Sequence, residues 1–152
     1  MSLQLKVGKG PLNQDDVKKM QTAIDNNEFD FTPMGLKFLE DLQDAIDVIK
    51  KSKNTDLNEF RDGLIAPVMQ LKANAAIFKY SLIGDLANVM LSFLETITNL
   101  DKDAVSIVQA HHTTLNAIIT QKIKGDGGDV GALMITELKQ ACARYYAKRK
   151  DQ

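Results

Sequence analysis

The stretch VMQLKANAAIF, Val68 to Phe78, sits in the middle of a long amphipathic segment and decides how that segment must fold. At roughly 100° per residue, Leu57, Phe60, Leu64, Val68, Leu71, Ala75 and Phe78 share one stripe, the signature of a helix with one face in a core. Met69 falls nearly opposite the centre of that stripe. Asp62, Ala66 and Ala73 lie with it, and Ala76 and Ile77 less squarely. A surface helix ordinarily carries Lys, Glu or Gln there. Two explanations fit this small, apolar outward face: further helices of the same chain cover it, or it receives another protein. Small residues let a second backbone approach closely, and an unbranched Met adapts to a partner's shape. Gln70 and Lys72 flank the patch as a polar rim, with Asn74 on the Gln70 side.

The same eleven residues resemble the signature of histidine phosphotransfer (Hpt) domains, roughly A-H-x-L-K-G-S-A-A-x-F/L-G. Leu71, Lys72, Ala75, Ala76 and Phe78 stand where that pattern has them, and Met69 stands at the phosphoacceptor histidine. A thioether has no basic nitrogen and cannot be phosphorylated. The resemblance implies a four-helix bundle with position 69 projecting outward beneath a docking receiver domain. It makes Lys72 the charge partner of the acceptor position and Ala73 the clearance position, usually glycine. Asn74 departs from the usual serine and Lys79 from the glycine that closes the motif. Pro67 lacks an amide proton and crowds the carbonyl of Gly63, which predicts a bend. The likeness spans about residues 33 to 124. Its specific part is 68 to 95, including Leu82, Leu86, Ala87 and the Leu94-Glu95 pair.

Working outward, apolar spacing is helical almost throughout, with prolines and glycines as punctuation. Residues 1 to 12 carry three Gly/Pro breakers and read as a flexible lead-in. A first helix is expected over 14 to 26, with Val17, Met20 and Ile24 on one side and Asp15 and Asp16 in its first turn. A second begins with Thr32 as N-cap and Pro33 at the first helical position, and runs to about Lys51, burying Leu36, Leu39, Leu42, Ile46 and Ile49. The third opens on Asp56 with Glu59 three residues on, a capping-box arrangement, and ends near Lys79. The fourth runs from about Ser81 to Thr98, with Leu82, Leu86, Val89, Met90, Phe93 and Ile97 inward. The fifth spans about Lys102 to Lys124 and stops at Gly125 as C′ residue. After a turn over Gly125 to Asp129, a last helix runs from about Val130 to Lys148. Short connections make these helices antiparallel neighbours. The expected fold is therefore all-α: a single domain over 13 to 152, an antiparallel four-helix bundle of Hpt type with additional N- and C-terminal helices.

The 152 residues suffice for one cored domain, with 44% hydrophobic and 26% charged residues. No apolar run approaches the ~20 residues that span a bilayer, and the N-terminus lacks the apolar core of a secretory signal. Cys142 is the lone cysteine, which excludes an internal disulfide and fits a reducing cytoplasm. A formal charge of −1, from 19 basic and 20 acidic residues, gives no reason to expect nucleic acid or membrane as partner.

His111 and His112 fall at either edge of the fifth helix's apolar arc of Ala104, Val105, Ile107, Val108, Leu115, Ile118, Ile119 and Ile123. They are the alternative phosphoacceptors, though boundary histidines more often cap a core. Adjacent histidines point about 100° apart, whereas a helical zinc pair wants i, i+4 spacing, so no metal is expected. Gly125, Gly127, Gly128 and Gly131 follow no strand and precede no Gly-Lys-Ser/Thr, so they read as an interhelical turn. Lys139, Arg144, Lys148, Arg149 and Lys150 gather near the C-terminus, where cations complement the helix dipole. Cys142, with Leu138, Ala141 and Tyr145, reads as core.

The expected function is accordingly a non-catalytic Hpt-like protein of two-component or phosphorelay signalling. It binds a response-regulator receiver or a histidine kinase through Ala66, Met69, Gln70, Lys72, Ala73 and Ala76, without a cofactor. Two alternatives stay open: a homodimeric bundle using the same face, and an active phosphotransfer protein using His111 or His112.

Overall fold

The structure is a computed structural model that describes residues 14–25 and 30–150. Six helices follow one another: α1 Gln14–Asp25, α2 Thr32–Lys51, α3 Leu57–Ile77, α4 Ser81–Thr96, α5 Lys102–Thr120 and α6 Gly128–Lys150. The chain divides into two units, Met1–Asp30 and Phe31–Gln152; α1 belongs to the first and the other helices to the second. The lead-in over residues 1 to 12 lies outside the described residues, as do the side chains of Met20 and Ile24. Val17 is exposed.

Within the second unit α2 packs on α3 and α5, and α4 packs on the same two helices, so these four close a circuit. α6 lies against α4 and α5. The core runs down the middle of the circuit through Leu39, Leu42, Ile46, Leu64, Val68, Leu71, Leu86, Met90, Phe93, Leu115 and Ile118. Each fully buried Leu or Ile contributes about 1.5–3 kcal/mol relative to exposure, so the stripe on α3 is ample to hold it in place. α4 buries Ile83, Ala87 and Leu94 beyond the expected positions, while Val89 is only partly buried. Between α2 and α5 the carboxamides of Gln43 and Gln109 pair reciprocally at 3.1 and 2.8 Å. Lys50 Nζ adds a third bond to the same Gln109 oxygen at 2.9 Å.

Several helix ends differ from the sequence expectation, each for a local reason. Thr32 is the first residue of α2 rather than its cap; the capping position is Phe31, with no side-chain cap, and its carbonyl accepts from Gly35 at 2.9 Å. Phe31 is there for its ring, which is buried against Phe78 and Tyr80 at centroid distances of 5.3 Å. Asp56 does cap α3, accepting from the Asn58 amide at 3.0 Å. The reciprocal half of the capping box is replaced. Asn54 Oδ1 takes the Asp56 amide at 2.9 Å, and the Glu59 carboxylate accepts from Asn54 Nδ2 instead. α4 ends two residues early because Ile97 is extended.

α3 and α5 both close on a lysine in the left-handed region. At Lys79, φ is 68°, the Tyr80 amide reaches the Ala75 carbonyl at 2.9 Å and the Lys79 amide reaches that of Ala76 at 3.4 Å. At Lys122, φ is 53°, with matching bonds from Ile123 to Ile118 at 3.0 Å and from Lys122 to Ile119 at 3.2 Å. Both are Schellman caps with lysine at C′, the position where glycine is usual. Thus α5 ends at Thr120, and Gly125 serves another purpose. Its amide donates to Lys79 O at 2.7 Å and its carbonyl accepts from Leu82 at 2.8 Å, tying the α5–α6 turn to the α3–α4 junction. Inside that turn Gly127 has φ 74°, and a Cβ on Gly131 would lie 2.0 Å from the Asp126 carbonyl oxygen. The glycine-rich turn is thus a tight backbone crossing.

Candidate functional site

The α3 face opposite the core stripe is assembled by the helix repeat alone. Leu57, Leu64, Val68, Leu71 and Ala75 are buried, together with Pro67. On the other side Ala66, Met69, Gln70, Lys72, Ala73 and Ala76 are all exposed. Met69 retains 53% of its surface and Ile77 retains 50%. The face therefore gains Ile77, which the 100° repeat had placed at its margin. Asn74 is half-buried, and its Nδ2 donates to the Gln70 carbonyl at 2.8 Å, holding that part of the rim against its own helix. Helix α3 runs through Pro67 without interruption to Ile77. α6 packs on α4 and α5 and not on α3.

This arrangement offers surface rather than reactivity. It has a flexible thioether at the centre, alanines one turn away on either side, and polar groups at the margin. Met and small side chains desolvate cheaply and admit a partner's backbone. Among the described residues no group of three His, Cys, Asp or Glu side chains is placed to hold a metal ion, and no helix is long and apolar enough to cross a membrane.

The two histidines part company. His111 is fully buried; its Nδ1–H donates to the Ile107 carbonyl at 2.9 Å, and its Nε2 finds no hydrogen-bond partner among the described residues. Burial pushes its pKa below the ordinary 6.5, against a smaller opposite pull from the Ile107 carbonyl. His112 is half-buried, and its Nε2–H donates across to the Leu39 carbonyl of α2 at 2.9 Å. The reading of α5 alone put both at the edge of the apolar arc. His111 moves into the core because α6 packs on that flank: Ile107, one turn earlier, lines a hollow with Ala141, Arg144 and Tyr145 of α6. With no exposed surface, His111 has no room for an incoming phosphoryl group.

Two of the C-terminal basic residues, Lys148 and Arg149, make specific pairs. Arg149 Nη2 meets Asp101 Oδ2 at 2.5 Å and Asp103 Oδ2 at 3.3 Å, and Lys148 meets Asp103 at 3.0 Å. The guanidinium also stacks over the Tyr145 ring, 4.1 Å from its centroid. Asp101 is the N-cap of α5, accepting from the Ala104 amide at 2.9 Å. Partial burial pushes its carboxyl up; the Ala104 amide, Arg149 and Tyr145 together outweigh that and hold it below the usual aspartate range. These cations therefore clasp the end of α6 to the start of α5. Cys142 is buried on α6, and burial raises its thiol to about 11, which leaves it a poor nucleophile at neutral pH.

No protein-family model, curated protein or solved structure matches this chain.

Proposed function

We propose that the chain is a non-catalytic Hpt-like protein of two-component signalling, acting in the cytoplasm. On this reading α2 to α5 form an antiparallel four-helix bundle of Hpt type, with α1 and α6 added to it. The α3 face centred on Met69 docks a response-regulator receiver, or a histidine kinase, and passes on no phosphoryl group. By occupying the receiver's docking surface it acts as an adaptor or a competitor of true phosphotransfer partners.

One observation carries the reading. The position where the motif VMQLKANAAIF replaces the acceptor histidine is a half-exposed Met in the middle of a helix, flanked by exposed alanines. Lys72, exposed three positions on, then contributes a charged rim contact, Gln70 a polar one, and Ala73 permits close approach.

Met69→Arg tests this. The substitution adds bulk and charge to the centre of the face while keeping a good helix former. Receiver binding should be lost with helicity and melting temperature retained; undiminished binding refutes the reading. A homodimer through the same face is the competing outcome. It would show as a mass that doubles with concentration in light scattering, abolished by Met69→Arg, with no affinity for any receiver.

A further inference from the structure

We infer that Met69 is a site of reversible oxidation to the sulfoxide, and that this modification switches the α3 face off. The switch rests on the docking reading above; the modification itself rests on geometry alone. Of the methionines whose side chains the structure describes, Met90 is fully buried and Met34 and Met134 are partly buried against the core. Met69 alone among them is exposed, at 53%. Its neighbours one turn away include Ala66 and Ala73, whose side chains end at Cβ and cannot shade the sulfur from solvent.

The co-reactant is a peroxide. The thioether sulfur attacks one peroxide oxygen, the O–O bond breaks, and an S–O bond forms. Sulfur is oxidised by two electrons, and hydrogen peroxide is reduced and leaves as water. The product is a strong hydrogen-bond acceptor where an apolar group stood. Lys72, in i,i+3 relation, is placed to donate to that oxygen in the free protein. Docking would then bury a polar group at the centre of an apolar contact and strip it of water. Methionine sulfoxide reductases reverse the change with thiol reductant, which returns the face to its docking form.

The test exposes the full chain to limiting hydrogen peroxide, quenches at intervals and follows each methionine-containing peptide by mass spectrometry. Met69 should gain oxygen at least about tenfold faster than Met90 and Met134. Equal rates would overturn the assignment. The oxidised chain is then titrated with a receiver domain that the unmodified chain binds. Affinity should fall about ten- to hundredfold and return on reductase treatment; unchanged affinity overturns the switch. Should the unmodified chain bind no receiver, the docking reading fails and the switch goes with it, while the peptide rates still decide the modification.

Discussion

At Met69 a half-exposed thioether stands between alanines, and at His111 an imidazole stands in the core with one nitrogen unpartnered. These two residues carry opposite lessons. Met69 belongs to a face that the helical repeat assigns without any neighbour, so its outward position was legible from VMQLKANAAIF alone. His111 could not be placed from α5 by itself, because its burial depends on α6 packing over that flank. The imidazole carries a measurable consequence. Its folded pKa lies below the unfolded value near 6.5, so the unfolded chain binds the proton more readily. The stabilisation is thus full above about pH 6.5 and is lost as pH falls toward the depressed folded value. Urea midpoints should therefore decline between about pH 6.5 and pH 5, before most carboxylates titrate. In His111→Leu that decline should vanish, with neutral-pH stability changed by less than about 1.5 kcal/mol. A wild-type midpoint that is flat over this window would show that His111 is not held neutral.

Helix ends carry the next set of outcomes. Element type and order followed from apolar spacing, and the six helices begin within two residues of where the spacing put them. The stops were harder to read. Glycine is the signal for a left-handed C′ residue, and here Lys79 and Lys122 take that conformation, so α5 seemed to continue to Gly125. The fit of Ile123 and Tyr80, each the residue after the lysine and bonded back into the helix, decides the stop instead. Lys79→Gly should relieve the left-handed strain and stabilise the fold by about 0.5–1 kcal/mol, read from chemical denaturation. A loss of stability would mean that the lysine side chain itself holds the junction. At the other end of the molecule Asp101 caps α5 and anchors Arg149. Asp101→Ala should cost about 1–2 kcal/mol, mostly through the cap. Asp101→Asn keeps the capping oxygen and should cost less, since a partly exposed ion pair is screened by solvent. Its carboxylate titrates below the ordinary aspartate value, so the pair's contribution is present above about pH 4 and is lost as pH falls further. Acid unfolding of the Asn variant should accordingly lack that component.

At the scale of the whole molecule the all-helical architecture was legible, because the apolar spacing is helical almost throughout. The place of α6 was not. Its apolar residues Leu138, Cys142 and Tyr145 showed that it packs, but not that it packs on α4 and α5. That choice leaves Met69 exposed, whereas a last helix laid over α3 would have sealed it. Lys148 and Arg149 read as dipole partners, whereas they reach across to Asp103 and Asp101, a long-range pairing that no local pattern encodes. The most direct test of the docking claim is paired affinity capture from native cell extract, using the wild-type chain and Met69→Arg side by side, with retained proteins identified by mass spectrometry. The account predicts that the wild-type chain retains a receiver-containing protein and the variant does not. Retention of that receiver by both, or of no receiver by either, would contradict it.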